Sequence, residues 1–421
     1  MVRSNRRSRG LALRPLFARR AREGAVPQSA ASPWALASRP APLGRRVATR
    51  GGVLVLGVAG TVGGVERVML GLARGLQEGG VPTRAVFAAG PGGYRLRAWA
   101  AEQRAPIELD ARLNPERRTL VTGVFALARL IRRADPQVVN LHYGTNDVVL
   151  RDVLAVRLSG RRRVVVSVHH PDVSGRRTWR RRLATRLAVR LADGVIANSA
   201  ATAAGLRARG VPDDRVRLVP CGVLHAAPAP TREQARAALG IADDAFVVAC
   251  LTRLVEYKGV HELIRATARL ARPAGAKVVL LVGGDGPERV ALERQGAAEL
   301  GSACRVLGPL TERERLRLLA AADVFALPSH EEGFGLVYVE AALLGVPSVG
   351  CAAGGVPEVI EDGRTGLLVP PGDERALACA LERLRDAPAL RAQLGAAARE
   401  RALAEFGAAL MVQRYRRLLQ V

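Results

Sequence analysis

Lysine is almost missing from this chain. Of 64 basic side chains only Lys258 and Lys277 are lysines. Beside abundant alanine and glycine, that bias is more simply codon usage in a GC-rich genome than a binding device. A lysine retained in such a chain points to a site that needs a compact ammonium. Aromatic residues make up only 4% and form no basic–aromatic recognition module. No nucleic-acid partner is therefore expected, despite a formal net charge of +26. The five cysteines (Cys221, Cys250, Cys304, Cys351, Cys379) include no C-x-x-C pair. That argues against a disulfide or zinc framework and suits reduced thiols in a cytoplasmic protein. No apolar run reaches the roughly 18 residues of a membrane span. Neither G-x-x-x-x-G-K-[ST] nor G-x-S-x-G occurs, which excludes a P-loop and a hydrolase nucleophile elbow. The D-x-D pair that commonly holds a divalent metal beside a nucleotide diphosphate is missing as well.

The charge is unevenly placed. Residues 1–50 hold twelve arginines against one acidic residue, Glu23, and so contribute +11. They lack the apolar stretch of a secretory signal and read as a basic, disordered extension, with a transit-like or anchoring role as the other reading. From residue 52 onward, short β-branched runs alternate with helical patterns. Strands are expected at 52–59, 84–88, 137–141, 163–168 and 194–197. In "VERVMLGLARGLQEGG", Val65, Val68, Met69, Leu72 and Leu76 share one helical face. The Pro/Ala-rich stretch 224–232 breaks the rhythm. It then restarts, with strands expected at 245–251, 276–284, 304–308, 323–329 and 346–353.

Continuous apolar strands between helices indicate parallel sheets covered on both faces, and 421 residues exceed what one core serves. The expected fold class is α/β, with two doubly wound, Rossmann-like domains facing across a cleft at the strands' carboxyl ends. The boundaries read as an extension (1–50), an N-terminal domain (51–223), a C-terminal domain (224–393) and terminal helices (394–421).

The distinctive motifs follow strands. In "GTVGGVE", Gly63 and Gly64 open a helix, where N–H groups and the positive dipole end attract phosphate or sugar oxygens. The pattern is not G-x-G-x-x-G, and no acidic residue ends the second strand, so a nicotinamide dehydrogenase is not expected. "LTRLVEYKG" sets Arg253 and Lys258 in one loop, a fork and a point charge suited to a diphosphate. In "HEEGFGLVYVE", Glu332 lies in a glycine loop and Glu340 in the early turns of the next helix. Carboxylates there suit vicinal hydroxyls of a ribose or hexose. A helix-dipole partner and a solvated acidic edge are the plainer alternative. "VVVSVHHPD" and "NLHYGTND" put His169, His170 and His142 at strand ends, where an imidazole can orient a hydroxyl or exchange a proton. Finally, "SGRRTWRRRLATRLAVRLADG" (174–194) is basic, with Trp179 and Leu183, Leu187 and Leu191 on one stripe. It reads as a helix on an anionic membrane or, more commonly, as the buried face of a sheet-covering helix.

Taken together, these stretches resemble glycosyltransferase family 4 (glycosyl transferases group 1), the retaining nucleotide-sugar enzymes of the GT-B fold. The block "LPSHEEGFGLVYVEAALLGVPSVGCAAGGVPEVIEDGRTGLLVPPGD" (327–373) carries its E-x7-E pattern at Glu332 and Glu340. "TRLVEYKG", "GGDGPER" and "GGVERV" fit the same pattern, and residues 394–421 resemble the family's last helices, which pack back across the two domains. The resemblance implies a nucleotide-diphosphate sugar in the C-terminal domain and a hydroxyl acceptor in the N-terminal one. Arg253 and Lys258, with Gly63 and Gly64, would hold the diphosphate, and Glu340 the ribose. Glu332, Gly333, Phe334, Gly335 and Leu336 would contact the transferred sugar. His169 and Glu332 would stand at the reacting centre, with His142 and His170 on the acceptor side. Transfer would be metal-independent, without a cofactor, and assisted by the leaving phosphate. The acceptor would be a carbohydrate, a lipid-linked molecule or a small molecule, reached in the cytoplasm and at a peripheral membrane contact if lipid-linked. Cys221 and Leu224 depart from the family's Asn and Asp in "VPCGVLHAAP". A nucleotide-sugar epimerase and a non-catalytic binding partner are the alternatives; the second should have lost Arg253, Lys258 or a motif glutamate, and none is lost.

Overall fold

The structure, a computed structural model, describes residues 51–421 except 58–62, 89–92, 103–106, 111–119, 145–147, 161, 172–178, 224–227 and 272–276. The basic extension, Leu224 and the start of the expected linker therefore lie outside the described residues.

Seven parallel strands form the first sheet: β1 (Val53–Gly57), β2 (Thr83–Ala88), β3 (Ile107–Asp110), β4 (Val138–Tyr143), β5 (Arg163–Val168), β6 (Gly194–Ala197) and β7 (Val216–Leu218). Their order is β3-β2-β1-β4-β5-β6-β7. Six more form the second, β8 (Phe246–Leu251), β9 (Val278–Gly283), β10 (Cys304–Gly308), β11 (Val324–Leu327), β12 (Ser348–Cys351) and β13 (Gly366–Val369), in the order β10-β9-β8-β11-β12-β13. Both sheets reverse direction at their middle, beside β1 and beside β8. That switch point opens a crevice above the strands' carboxyl ends. The strands read from continuous apolar runs are all present, with buried interiors except in the edge strand β10, which is half-buried. Three more, β3, β7 and β13, were not expected.

Helices cover both faces. Around the first sheet lie α1 (Gly64–Glu78), α2 (Gly93–Glu102), α3 (Leu120–Ala134), α4 (Leu150–Leu158), α5 (Trp179–Leu191) and α6 (Ala200–Ala208). Around the second lie α7 (Arg232–Leu239), α8 (Val260–Leu270), α9 (Arg289–Leu300), α10 (Glu312–Ala321), α11 (Leu336–Leu343), α12 (Val356–Val359) and α13 (Glu374–Asp386). The terminal pair is α14 (Pro388–Glu405) and α15 (Ala408–Leu419), so the last helices start before residue 394. α14 packs on α11, whereas α15 crosses back to pack on α1 of the first layer. The Tyr415 hydroxyl there donates to Ser167 Oγ of β5 at 3.2 Å.

In α1 the expected apolar face is buried through Val68, Met69, Leu72 and Leu76, with Val65 half-buried. In α5 the commoner expectation is overturned. The buried residues are Thr185, Ala188 and Val189, while Trp179, Leu183 and Leu187 face outward and only Leu191 of the expected stripe is half-buried against the core. A stripe of period 3.6 shows that a helix has two faces but not which one meets the sheet. Among the described residues, no helix is long and apolar enough to cross a membrane.

Candidate functional site

The glycine loop after β11 is shaped by close contact with the first half of the chain. A Cβ on Gly333 would lie 2.0 Å from the His169 carbonyl oxygen, so only glycine fits there. Gly335 opens α11 with φ of +87°, a left-handed conformation that strains other residues. Between them Phe334 is buried, edge-on to Phe406 at 5.5 Å. Leu336 starts α11 opposite Gly64 at the start of α1, where a Cβ would come within 3.4 Å of the leucine. The carboxyl end of β5, the amino end of α1 and the amino end of α11 therefore border one cleft.

Cations converge on this loop. After β8 the chain makes a short turn over Glu256–Lys258, and the Lys258 ammonium, buried, meets Glu332 Oε1 at 2.6 Å. Tyr257 links the two loop cations: its ring lies 5.0 Å from Lys258 Nζ, and its hydroxyl accepts from Arg253 at 2.6 Å. Arg253 itself is exposed to the cleft solvent.

Glu340 is buried among arginines. Its Oε2 accepts from Arg315 of α10, and its Oε1 is 3.8 Å from Arg67 of α1. Arg67 also binds Glu312 Oε2 at 2.6 Å and lies over the Trp99 ring. Burial alone would lower the Arg67 pKa, but Glu340 and Glu312 lift it above the usual guanidinium value. In Arg315 burial wins and the pKa falls.

Glu66 is another buried carboxyl. It accepts the Gly63 N–H at 2.8 Å, closing the first turn of α1 from within. Gly63 thus has an internal partner here, contrary to the expectation of a free N–H. Burial pushes the Glu66 pKa up to about 7, opposed by hydrogen bonds from its own and the Gly63 backbone N–H and by Arg253 across the cleft.

The histidines form a chain pointing into the first sheet. Asn140 Nδ2 donates to the Val165 carbonyl and Ser167 Oγ, so its Oδ1 accepts from His142 Nε2 at 2.6 Å. His142 Nδ1 then accepts from His169 Nε2 at 2.9 Å. His169 Nδ1 faces the Cys221 thiol at 4.0 Å. Burial lowers the His169 pKa to about 4, and burial plus His169 drives His142 well below its usual value. Both rings are neutral at pH 7. Neither ring nitrogen of His169 is turned to Gly333; its carbonyl oxygen is, also accepting from Asn198. His142 stands behind His169 rather than on the cleft wall. His170 packs its backbone on Gly333, with Nδ1 against the Pro171 carbonyl at 2.6 Å.

The structure thus brings Gly63, Gly64, Arg253, Lys258, Glu332, Gly333, Gly335, Leu336 and the His169–His170 backbone together. Phe334, by contrast, is buried on Phe406, Glu340 is buried among arginines, the His169 ring turns into the sheet and His142 lies behind it. Glu66, Arg67, Glu312 and Arg315 were not expected at the cleft. "GGVERV" held a signal for the first, because a glutamate three residues after a helix cap is a capping-box pattern. Among the described residues, no cluster of His, Cys, Asp or Glu is suited to a metal ion.

Comparison with known proteins matches both halves. "Glycosyl transferases group 1" covers residues 231–401, and "Glycosyltransferase Family 4" covers residues 62–226. D-inositol 3-phosphate glycosyltransferase of Saccharomonospora viridis is 41% identical over 200 residues (45% of this chain, 46% of that protein). The Corynebacterium aurimucosum protein of that name is 34% identical over 293 residues (66% and 69%). A GDP-mannose-dependent monoacylated alpha-(1-6)-phosphatidylinositol monomannoside mannosyltransferase of Corynebacterium glutamicum is 37% identical over 194 residues (44% and 50%). In its first matches, the chain spans about half the length of the curated relatives. Among solved structures, Anabaena HepE in complex with UDP-glucose superimposes with a TM-score of 0.74 at 25% identity, over 87% of this chain and 99% of that one.

Proposed function

The chain belongs to glycosyltransferase family 4 (glycosyl transferases group 1), and we propose that it moves a sugar from a nucleotide-diphosphate sugar to a hydroxyl acceptor. Transfer proceeds with retention at the anomeric carbon and without a metal. One observation carries the reading: the glycine loop of "EEGFG" sits directly on the His169 carbonyl. The donor loop and the acceptor-side strand end therefore share one reacting space.

Arg253 and Lys258 neutralise the diphosphate as it leaves, the point at which negative charge grows. Glu332, anchored by Lys258, and the Gly333–Leu336 backbone orient the sugar. Glu340 takes the ribose hydroxyls. An ionised carboxylate offers about four acceptor sites, so Glu340 can keep Arg315 while doing so. Gly64, at the amino end of α1, faces the diphosphate, and Gly63 joins it where Glu66 yields its N–H. In the reaction the bond from the anomeric carbon to the phosphate oxygen breaks and a bond to the acceptor oxygen forms. The acceptor proton passes to the departing phosphate, so no protein nucleophile is required. His169 seats its carbonyl against Gly333 and so fixes the strand end beside His170 against the donor loop, while His142 holds its ring in place. The relatives differ in donor: UDP-glucose accompanies the Anabaena structure, while the Corynebacterium glutamicum enzyme is named for GDP-mannose. The acceptor is a carbohydrate, lipid-linked or small-molecule hydroxyl, met in the cytoplasm, a reading that five free thiols support.

A thermal-shift panel of UDP, GDP, ADP and their sugar conjugates tests this. One nucleotide should raise the melting temperature of the wild type, and much less that of Lys258→Ala and Arg253→Ala. Arg253 is exposed, so its loss leaves folding intact. If no nucleotide shifts the wild type, the reading falls. Turnover unaffected by EDTA is the expected companion result, and loss of turnover would overturn metal independence.

A further inference from the structure

Helix α5 carries an apolar ridge on its outer side. At 100° per residue, Trp179, Leu183 and Leu187 fall within one narrow sector. Thr185, Ala188 and Val189, which seat the helix on the sheet, occupy the opposite sector. The ridge residues are 69%, 57% and 44% exposed, three of the eight large apolar side chains exposed among the described residues and the three that share one helix. Five arginines, Arg180, Arg181, Arg182, Arg186 and Arg190, are exposed on the same helix, which has no acidic residue. Arg190 lies within the ridge's sector, and Arg180 and Arg186 border it.

We infer that the outer face of α5 is a docking surface for an anionic lipid bilayer. The three apolar side chains insert at the headgroup boundary while the arginines pair with lipid phosphates. Charge selects this occupant over a second copy, because two such faces would oppose arginine to arginine without a carboxylate. A nucleic acid would match the charge but leave the ridge in water. Topology gives the surface a use. α5 links β5 to the parallel β6, so its amino end, with Trp179, lies at the carboxyl end of the sheet beside the cleft. An acceptor held in a bilayer would therefore be presented near the His169 strand end. That last step rests on the transferase reading; the docking surface does not.

Flotation of the full chain tests the surface, using vesicles of phosphatidylcholine alone and of phosphatidylcholine with phosphatidylglycerol. Wild type should float with the anionic vesicles and remain below with the neutral ones. Trp179→Ala combined with Leu183→Ser and Leu187→Ser should lower the bound fraction about tenfold or more. Arg180→Ser with Arg190→Ser should weaken binding, and raised salt should mimic that change. The inference is overturned by no flotation of wild type, by equal flotation on neutral vesicles, or by an apolar variant that floats like wild type. The last would assign binding to residues elsewhere, including the basic segment 1–50. A wild-type dimer that the apolar variant dissolves would also overturn it, in favour of self-association. The nucleotide thermal shift is measured on the same variants and should be unchanged. Flotation without any nucleotide shift would keep the surface and discard the transferase reading.

Discussion

At the scale of single residues, the buried carboxyl of Glu66 lends itself to a signed prediction. Its pKa rises from 4.5 to about 7 in the folded chain. Between those values the native state keeps a proton that the unfolded chain has released, so stability falls as pH rises through the window. The expected loss is about 3 kcal/mol, complete above pH 7. Glu66→Gln keeps an acceptor for the Gly63 N–H but cannot ionise. Urea unfolding should therefore show the variant gaining on wild type by that amount from pH 5 to pH 8. A difference independent of pH would show that Glu66 is not protonated in the native state. His169 acts in the opposite sense. Its pKa is lowered to about 4, so its stabilisation is present above the ordinary histidine value and lost as pH falls towards 4. The two effects nearly offset in wild type, which is why variants must be compared. Local spacing singled out Lys258, Glu332 and Glu340 as candidates, because glycine, carboxylate and cation patterns are short-range signals, and the structure does set Lys258 on Glu332. Their partners were not legible: Arg67 and Glu312 stand 245 positions apart, and no local pattern links them.

At the scale of elements, buried runs such as "RVVVSV" needed only their composition to be read as strands. β3, β7 and β13 escaped because they are short and two of them carry charge. Glu108 of β3 is exposed and pairs with Arg84 of β2 at 2.7 Å, while Arg217 sits within β7. That the terminal helices pack back across the halves was expected from the resemblance and is what α15 does on α1. Which residues α15 meets was not legible, since its own pattern is that of an ordinary amphipathic helix. In the structure Tyr415 stacks on His142, with centroids 6.3 Å apart, and binds the Ser167 hydroxyl that also serves Asn140. The terminal helix thereby buttresses the histidine chain behind the cleft. Tyr415→Phe should lower stability by about 1 kcal/mol, the worth of one buried hydrogen bond. It should also lower kcat several-fold while the donor KM stays constant, because the donor loop is untouched. A raised donor KM with unchanged kcat would place the effect on the other side of the cleft.

At the scale of the whole molecule, the repeated strand–helix rhythm announced two layered halves, but nothing in it described how they meet. The described contacts are mixed: α15 sets Val412 against Gly75 of α1, and Leu336 faces Gly64, while polar pairs cross elsewhere. The carboxylate of Glu358, on α12, accepts from the Ala200 and Ala201 N–H groups at 2.8 and 3.0 Å, capping α6 of the opposite half. Arg67 of α1 reaches Glu312 of α10, and the pair is about 85% shielded from water. Polar, part-buried contacts of this kind suit a cleft that opens and closes, since they can exchange protein partners for water. Glu312→Gln tests that role. It keeps the shape of the pair but removes the charge that holds Arg67, leaving the guanidinium with the more distant Glu340 alone. Breaking a charge pair at this depth should cost about 2 kcal/mol, less than the full penalty of a deeply buried pair. If the pair also holds the halves together, small-angle scattering should show a larger radius of gyration for the variant. On the proposed reading the nucleotide would bridge residues from both sides, so added donor nucleotide should reverse that expansion. Lower stability with an unchanged radius would mean that the pair stabilises each wall of the cleft without setting its width, and would leave closure to the Glu358 cap and the contact of Gly333 with His169.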